Sequence, residues 1–249
     1  MGRIVLGQRF KVVKPSELSH ILGVSAADIV ATGLSALRPT DEVREPDSDL
    51  LLISLNWGLL FPFTDCFIAF CEPHSTPTHF VEQLVKRESL VESVVIKGGV
   101  NPKFLPNFIK LVWLIGIKTN LNIYIPMEIG ARSNLTKDVL RGGLSEADIY
   151  NQLISSCERQ DVFSSYGNSV DWFLVNCRLL GISTLNFIGF DFNDEHIYNC
   201  HDLGIEDELL DMLLSRGKSA VTGANIKSKY EKTGEQLVKS GKYESIRFR

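Results

Sequence analysis

The chain has 249 residues, 44% of them hydrophobic and 22% charged, with a formal net charge of −4. That balance belongs to an ordinary globular protein and excludes collagen-like, coiled-coil, disordered and disulfide-built classes. A chain this long buries enough surface to fold without staples. The expected organisation is one α/β domain over residues 1–215 and a basic helical extension over 216–249.

In chain order the sequence predicts a helix over 15–23 and strands over 29–31, 51–55 and 66–70. A helix over 77–88, strands over 94–96 and 122–125, and helices over 144–158 and 168–180 follow. A strand over 185–188 and a helix over 204–215 complete the series. Most of the strands are continuously apolar, as strands covered on both faces are. Their alternation with helices predicts a Rossmann-like, mainly parallel sheet with helices on both faces. The clearest helix is 168–180. Asn168 and Asp171 form a capping pair, and Val170, Phe173, Leu174, Cys177 and Leu180 make one stripe. Gly181 stops it. The next strand delivers Gly189-Phe190-Asp191-Phe192 to the carboxyl edge, where open α/β sheets bind ligands.

Five scattered cysteines (Cys66, Cys71, Cys157, Cys177, Cys200) include no CxxC pair. They read as reduced, mostly buried thiols of a cytoplasmic protein. The opening MGRIVLGQRFKVV has no apolar run of signal-peptide length, so secretion is not expected. Phe108 to Ile117 is far short of a spanning helix, and its Phe108, Leu111, Val112 and Ile115 fit one buried helical stripe. From Arg216 onward nine basic residues face three acidic ones, which makes the tail +6 and the rest −10. A solvated helix is the simplest account, and an anionic membrane surface is another. Nucleic-acid binding is not expected, because the body is acidic and lacks aromatic-basic interleaving.

Four places carry candidate chemistry. Thr32, Gly33 and Ser35 follow a strand, where a glycine admits a ligand to the backbone and amides bind phosphate; an ordinary turn is the competing reading, and GxGxxG is absent. Asn56 ends the next strand and offers a donor and an acceptor to a base or sugar edge, unless it caps its own turn. Glu72, at the end of a further strand, is a secondary candidate. Ser165, Tyr166, Gly167 and Asn168 enter the clearest helix, where hydroxyls and amides bind anions. Last comes the densest cluster of ionisable groups: Gly189, Asp191, Asn193, Asp194, His196, Tyr198, Cys200, His201 and Asp202. Histidines beside carboxylates suit proton transfer near neutral pH. The spacing matches no structural zinc pattern, so no metal is expected.

In this order the motifs resemble the bacterial sialyltransferases of glycosyltransferase family forty-two, and in part the related archaeal pterin diphosphokinase-like (DUF115) group. Thr32-Gly33-Leu34-Ser35-Ala36 stands where the family has NGPSL, and Asn56 where it has a cytidine-contacting Asn. Ser165-Tyr166-Gly167 opens the helix, Gly189-Phe190-Asp191-Phe192 stands for GIDF, and His196 to His201 occupies the histidine loop. Three departures stand out. Thr32 and Leu34 replace Asn and Pro, the two phosphate-holding tyrosines have only Asn193 and Tyr198 near their places, and the long lid shrinks to Asn193–Cys200.

The resemblance implies a metal-independent inverting glycosyltransferase with a CMP-sialic-acid-like donor and a glycan acceptor, acting in lipooligosaccharide or capsule biosynthesis. Thr32, Gly33, Ser35 and Asn56 would hold the nucleotide, and Ser165 to Asn168 an anionic group. His201 would deprotonate the acceptor, oriented by Asp202 or Asp191. Tyr198, Tyr166 and Arg159 are the candidates to neutralise the leaving phosphate. The resemblance further implies a cytoplasmic homo-oligomer in peripheral contact with the inner membrane face. One alternative is a Mg²⁺-dependent diphosphokinase using Asp191 and Asp194; another is a catalytically decayed binding protein on the same fold.

Overall fold

A computed structural model describes residues 9–33, 36, 50–73, 77–98, 102–129, 144–191, 206–217 and 224–249. The strands are β1 (Phe10–Val13), β2 (Ala26–Val30), β3 (Leu50–Leu55), β4 (Phe67–Cys71), β5 (Val91–Ile96), β6 (Asn122–Pro126), β7 (Glu128–Ile129), β8 (Phe163–Ser164), β9 (Thr184–Ile188) and β10 (Ser245–Phe248). The helices are α1 (Pro15–Leu22), α2 (Pro77–Lys86), α3 (Leu105–Lys118), α4 (Glu146–Gln160), α5 (Ser169–Leu179), α6 (Asp207–Gly217) and α7 (Ala224–Lys239). Eight strands form one sheet in the order β1-β6-β5-β4-β3-β2-β9-β10, with every pairing parallel. β7 and β8 make a separate parallel pair.

The apolar runs predict this layering correctly. All five residues of β4 are buried, which requires cover on both faces. One hydrophobic cluster joins the sheet to α1, α4, α5 and α7, with Phe70 against Trp172 and Phe173 at ring distances of 4.7 and 4.8 Å. The other joins the opposite face to α2, α3 and α6. The protein is therefore a three-layer, Rossmann-like α/β fold.

Helix α5 is capped as its sequence predicts. Asn168 Oδ1 accepts the Val170 and Asp171 N–H groups at 2.9 and 3.2 Å, and Asp171 Oδ2 accepts the Asn168 N–H at 2.8 Å. Nearer its end, the Tyr243 hydroxyl donates to the Leu174 carbonyl at 2.8 Å and accepts the Arg178 N–H at 3.0 Å. A side chain is thus inserted into one rung of the helical ladder, a recognised cause of helix bending.

Tyr243 belongs to the basic tail, and the tail is more than the expected helical extension. It forms α7, where Lys229 pairs with Glu146, and then β10, which pairs with β9. The strand escapes sequence reading because an edge strand is covered on one face only. Ile246 and Phe248 turn inward, with Phe248 stacked on Phe187 at 4.6 Å, while Arg247 faces solvent. β1, at the other edge, is overlooked for the same reason: Lys11 interrupts its apolar run.

Of the described cysteines, Cys71, Cys157 and Cys177 are buried and Cys66 is exposed. Burial pushes the Cys71 and Cys177 thiols well up, and the Cys157 thiol to about 11. Reaction requires the thiolate. At pH 8 an aromatic disulfide reagent should therefore modify Cys66 quickly in the native protein, and Cys71, Cys157 and Cys177 only after unfolding. Timed labelling with peptide mass mapping checks this, and fast native labelling of Cys71 would contradict the burial described here.

Candidate functional site

From β2 the chain steps outward through β3, β4 and β5 to β6, then returns to lay β9 on the other side of β2. Such a reversal opens a crevice outside the carboxyl ends of the two strands, the usual ligand site of an open α/β sheet. Five adjacent strands, β9, β2, β3, β4 and β5, bring their carboxyl ends here in a row. Four steps of about 4.8 Å make the row about 19 Å long.

At the reversal two turns lock together. The Ala31 N–H donates to Ile188 O and the Gly33 N–H to Gly189 O, both at 2.8 Å. A Cβ on Gly33 would lie 2.5 Å from Gly189 O and 2.7 Å from Asp191 Oδ2, so only glycine fits. Gly33, with Thr32 before it, is thus brought against Gly189 and Asp191. Asp28, in the same strand β2, is a fully buried carboxylate that accepts Asn186 Nδ2 at 2.8 Å. Its only sequence signal is an acid inside an apolar run.

Asn56 lies beside these turns at the end of β3, with a left-handed backbone (φ 49°). Its amide is used differently from either sequence reading. Oδ1 accepts the Glu72 N–H at 2.8 Å and Nδ2 donates to Glu72 Oε2 at 3.4 Å. Asn56 therefore ties the end of β3 to the end of β4.

Glu72 is the hub of a polar network that sequence reasoning saw only in part. Its Oε2 accepts the Ser169 hydroxyl at 2.7 Å, and its Oε1 accepts Lys97 Nζ at 3.1 Å. Lys97 Nζ also reaches Gly167 O at 3.5 Å. The two charged side chains are only 10% and 11% exposed. Lys97 has a faint signal, a lone cation directly after the apolar run of β5. Its partner is invisible in sequence, because the pair forms only when β4 and β5 align Cys71 with Ile96. Each buried ion costs several kcal/mol of hydration, and apolar neighbours of equal size stabilise as well or better. A pair kept at the mouth of the crevice is therefore a candidate for chemistry.

The segment entering α5 is spent mostly on structure. Ser165 Oγ donates to Ile129 O at 3.1 Å, and Ser164 Oγ accepts the Tyr166 N–H at 3.2 Å. Asn168 Nδ2 donates to the Tyr230 hydroxyl at 2.7 Å. Asp171 Oδ1 accepts the hydroxyls of Tyr150 and Tyr230 at 2.6 and 3.1 Å. Gly167 (φ 70°) is obligatory, because a Cβ would overlap the Asp171 side chain. Tyr166 is half-buried, its ring edge-on to Tyr150 at 6.0 Å. Burial first, and the Asp171 charge second, push the hydroxyls of Tyr150, Tyr166 and Tyr230 upward. All three stay neutral donors at physiological pH.

Arg159 is not at this site. It ends α4, whose last turn lines a cleft with Arg178, Leu179 and Gly181 at the far end of α5. The 11 residues of α5 separate that end from Ser169, about 16 Å. Ser35, Asn193, Asp194, His196, Tyr198, Cys200, His201 and Asp202 lie outside the described residues. Among the described residues no group of three or more His, Cys, Asp or Glu could hold a metal ion.

Removing Lys97 should strand the Glu72 carboxylate. Lys97→Met is expected to cost about 3–5 kcal/mol in urea denaturation, and Glu72→Gln with Lys97→Met clearly less. A loss in the double variant equal to the sum of the Lys97→Met and Glu72→Gln losses would mean that the pair is not coupled.

Compared with models of known families, with curated proteins and with solved structures, the chain finds no match in any of the three, so its activity is argued from this site.

Proposed function

We propose that the crevice binds a nucleotide-activated sugar and that the protein is a metal-independent, inverting glycosyltransferase with a CMP-linked donor. The observation that carries this reading is the meeting of the β2 and β9 turns at the strand reversal, beside the paired Glu72 and Lys97. A row of about 19 Å accommodates a nucleotide and its sugar end to end, and Gly33 leaves backbone without a side chain where the two turns meet.

The leaving nucleotide phosphate needs donors or a cation where no metal serves. Lys97, held by Glu72 at the carboxyl edge, takes the role that sequence reading assigns to Arg159. His201, oriented by Asp202 or Asp191, removes the acceptor hydroxyl proton. The acceptor oxygen attacks the anomeric carbon from the face opposite the phosphate. The bond to the phosphate oxygen breaks with its electron pair leaving on CMP, which inverts the centre. A base with a suitable pKa contributes about 10²–10⁴ in rate.

Thermal shifts with CMP, CMP-sugars, UDP-sugars and ATP, with and without Mg²⁺, test the reading. CMP at a hundred times its Kd is expected to stabilise by about 2.7 kcal/mol without Mg²⁺. His201→Ala should keep that shift and lose transfer, whereas Gly33→Ala should lose the shift. A shift with ATP and Mg²⁺ but not CMP would favour the diphosphokinase reading, with Asp191 and Asp194 as its metal-holding pair. Silence across the set would leave a binding protein on a transferase-like scaffold.

A further inference from the structure

Helix α3 has two apolar faces. Leu111, Leu114 and Ile115 are buried against the sheet. On the opposite side Leu105, Ile109, Trp113 and Ile117 recur every fourth residue and are 49%, 59%, 55% and 40% exposed. Residues four apart lie one above another on a helix, so these four form a stripe along its whole length. The other two tryptophans, Trp57 and Trp172, are buried. Val12 of β1, 52% exposed, lies on the same side of the sheet as Phe10, which packs into the cluster beneath α3. A continuous apolar patch on a folded surface marks an interaction site.

The charged residues of the helix itself have one sign, and the Glu88 carboxylate meets it only at its carboxyl end, where it accepts the Asn120 N–H at 2.6 Å. Lys103, Lys110 and Lys118 are exposed, and no acidic residue occurs between Pro102 and Leu121. Arg9 adds a further cation at the carboxyl end of the helix, where its guanidinium donates to Thr119 O at 3.1 Å. At about 100° per residue, Lys110 falls about 60° from Trp113 and about 20° from the direction of Ile117, at the edge of the stripe, whereas Lys118 stacks over Leu114 away from it. Dry protein interfaces are depleted in lysine. A second copy docked by a two-fold axis would set this cationic face against itself. An anionic bilayer suits both features: indole and aliphatic side chains enter the headgroup boundary, and ammonium groups meet lipid phosphates.

We propose that the outer face of α3 docks the protein on an anionic membrane surface, with the helix lying in the plane of the interface. The helix has 14 residues, about 21 Å, against about 30 Å of hydrocarbon. It therefore lies on the bilayer and does not cross it. The basic tail is a different surface: β10 lies at the opposite edge of the sheet from β1, and its neighbours Lys229 and Lys242 pair with Glu146 and Glu158. The docking is independent of the reaction proposed above.

The full chain is mixed with phosphatidylcholine vesicles, alone or with phosphatidylglycerol. It should sediment with the anionic vesicles only and be released by salt. Trp113 emission should shift to the blue and be quenched by lipids brominated in the acyl chains. Lys110→Glu should weaken binding about tenfold, and Ile109→Ser should weaken it while leaving the thermal midpoint unchanged. Failure to bind anionic vesicles, or undiminished binding by both variants, overturns the proposal. So does a concentration-dependent dimer in sedimentation velocity that Ile109→Ser dissociates, which would assign the face to a second copy.

Discussion

Parallel pairing of β2 with β3 on one side and β9 on the other is the constraint from which the rest follows. A parallel neighbour cannot be reached by a tight turn, so each step needs a crossover, and the crossovers supply the helices that cover both faces. Because every strand in the sheet points the same way, their carboxyl ends share one edge. Because the order reverses at β2, the turns after β2 and β9 must part or lock. Here they lock through two backbone hydrogen bonds, and Gly33 permits the approach.

That edge carries the polar network on which the candidate chemistry depends. Glu72 accepts Asn56 Nδ2, Ser169 Oγ and Lys97 Nζ and so joins three strand ends to the first turn of α5. Its low exposure strengthens each hydrogen bond and raises the cost of losing any partner. The same turn of α5 is secured from the other side by Asp171, which takes the hydroxyls of Tyr150 and Tyr230. Since Tyr230 lies on α7, the basic tail helps to set the geometry of the crevice through a hydrogen bond, not through its charge.

Two surfaces of the molecule then point to different tasks. The carboxyl edge is polar and cross-linked by hydrogen bonds, as a site that positions reacting groups needs to be. The outer face of α3 is apolar and exposed, with Lys110 at its edge. It lies on the layer formed by α2, α3 and α6, across the sheet from the layer that holds α5.

Local order in the chain was enough to determine the layered α/β architecture, the cap of α5 and the glycine turns after β2 and β9. Each depends on residues within a few positions of one another: continuous apolar runs, Asn168 with Asp171, a glycine directly after a strand. Tertiary structure alone decided which charges meet. Glu72 and Lys97 are 25 residues apart, and only the β4–β5 register makes them a pair. Asn56 and Ser165 resembled ligand contacts in sequence because a polar side chain after a strand looks the same whether it faces a ligand or a neighbouring backbone. The outer stripe of α3 was hidden for the same reason, since exposure of an apolar residue depends on what packs around its helix and not on its own neighbours in the chain.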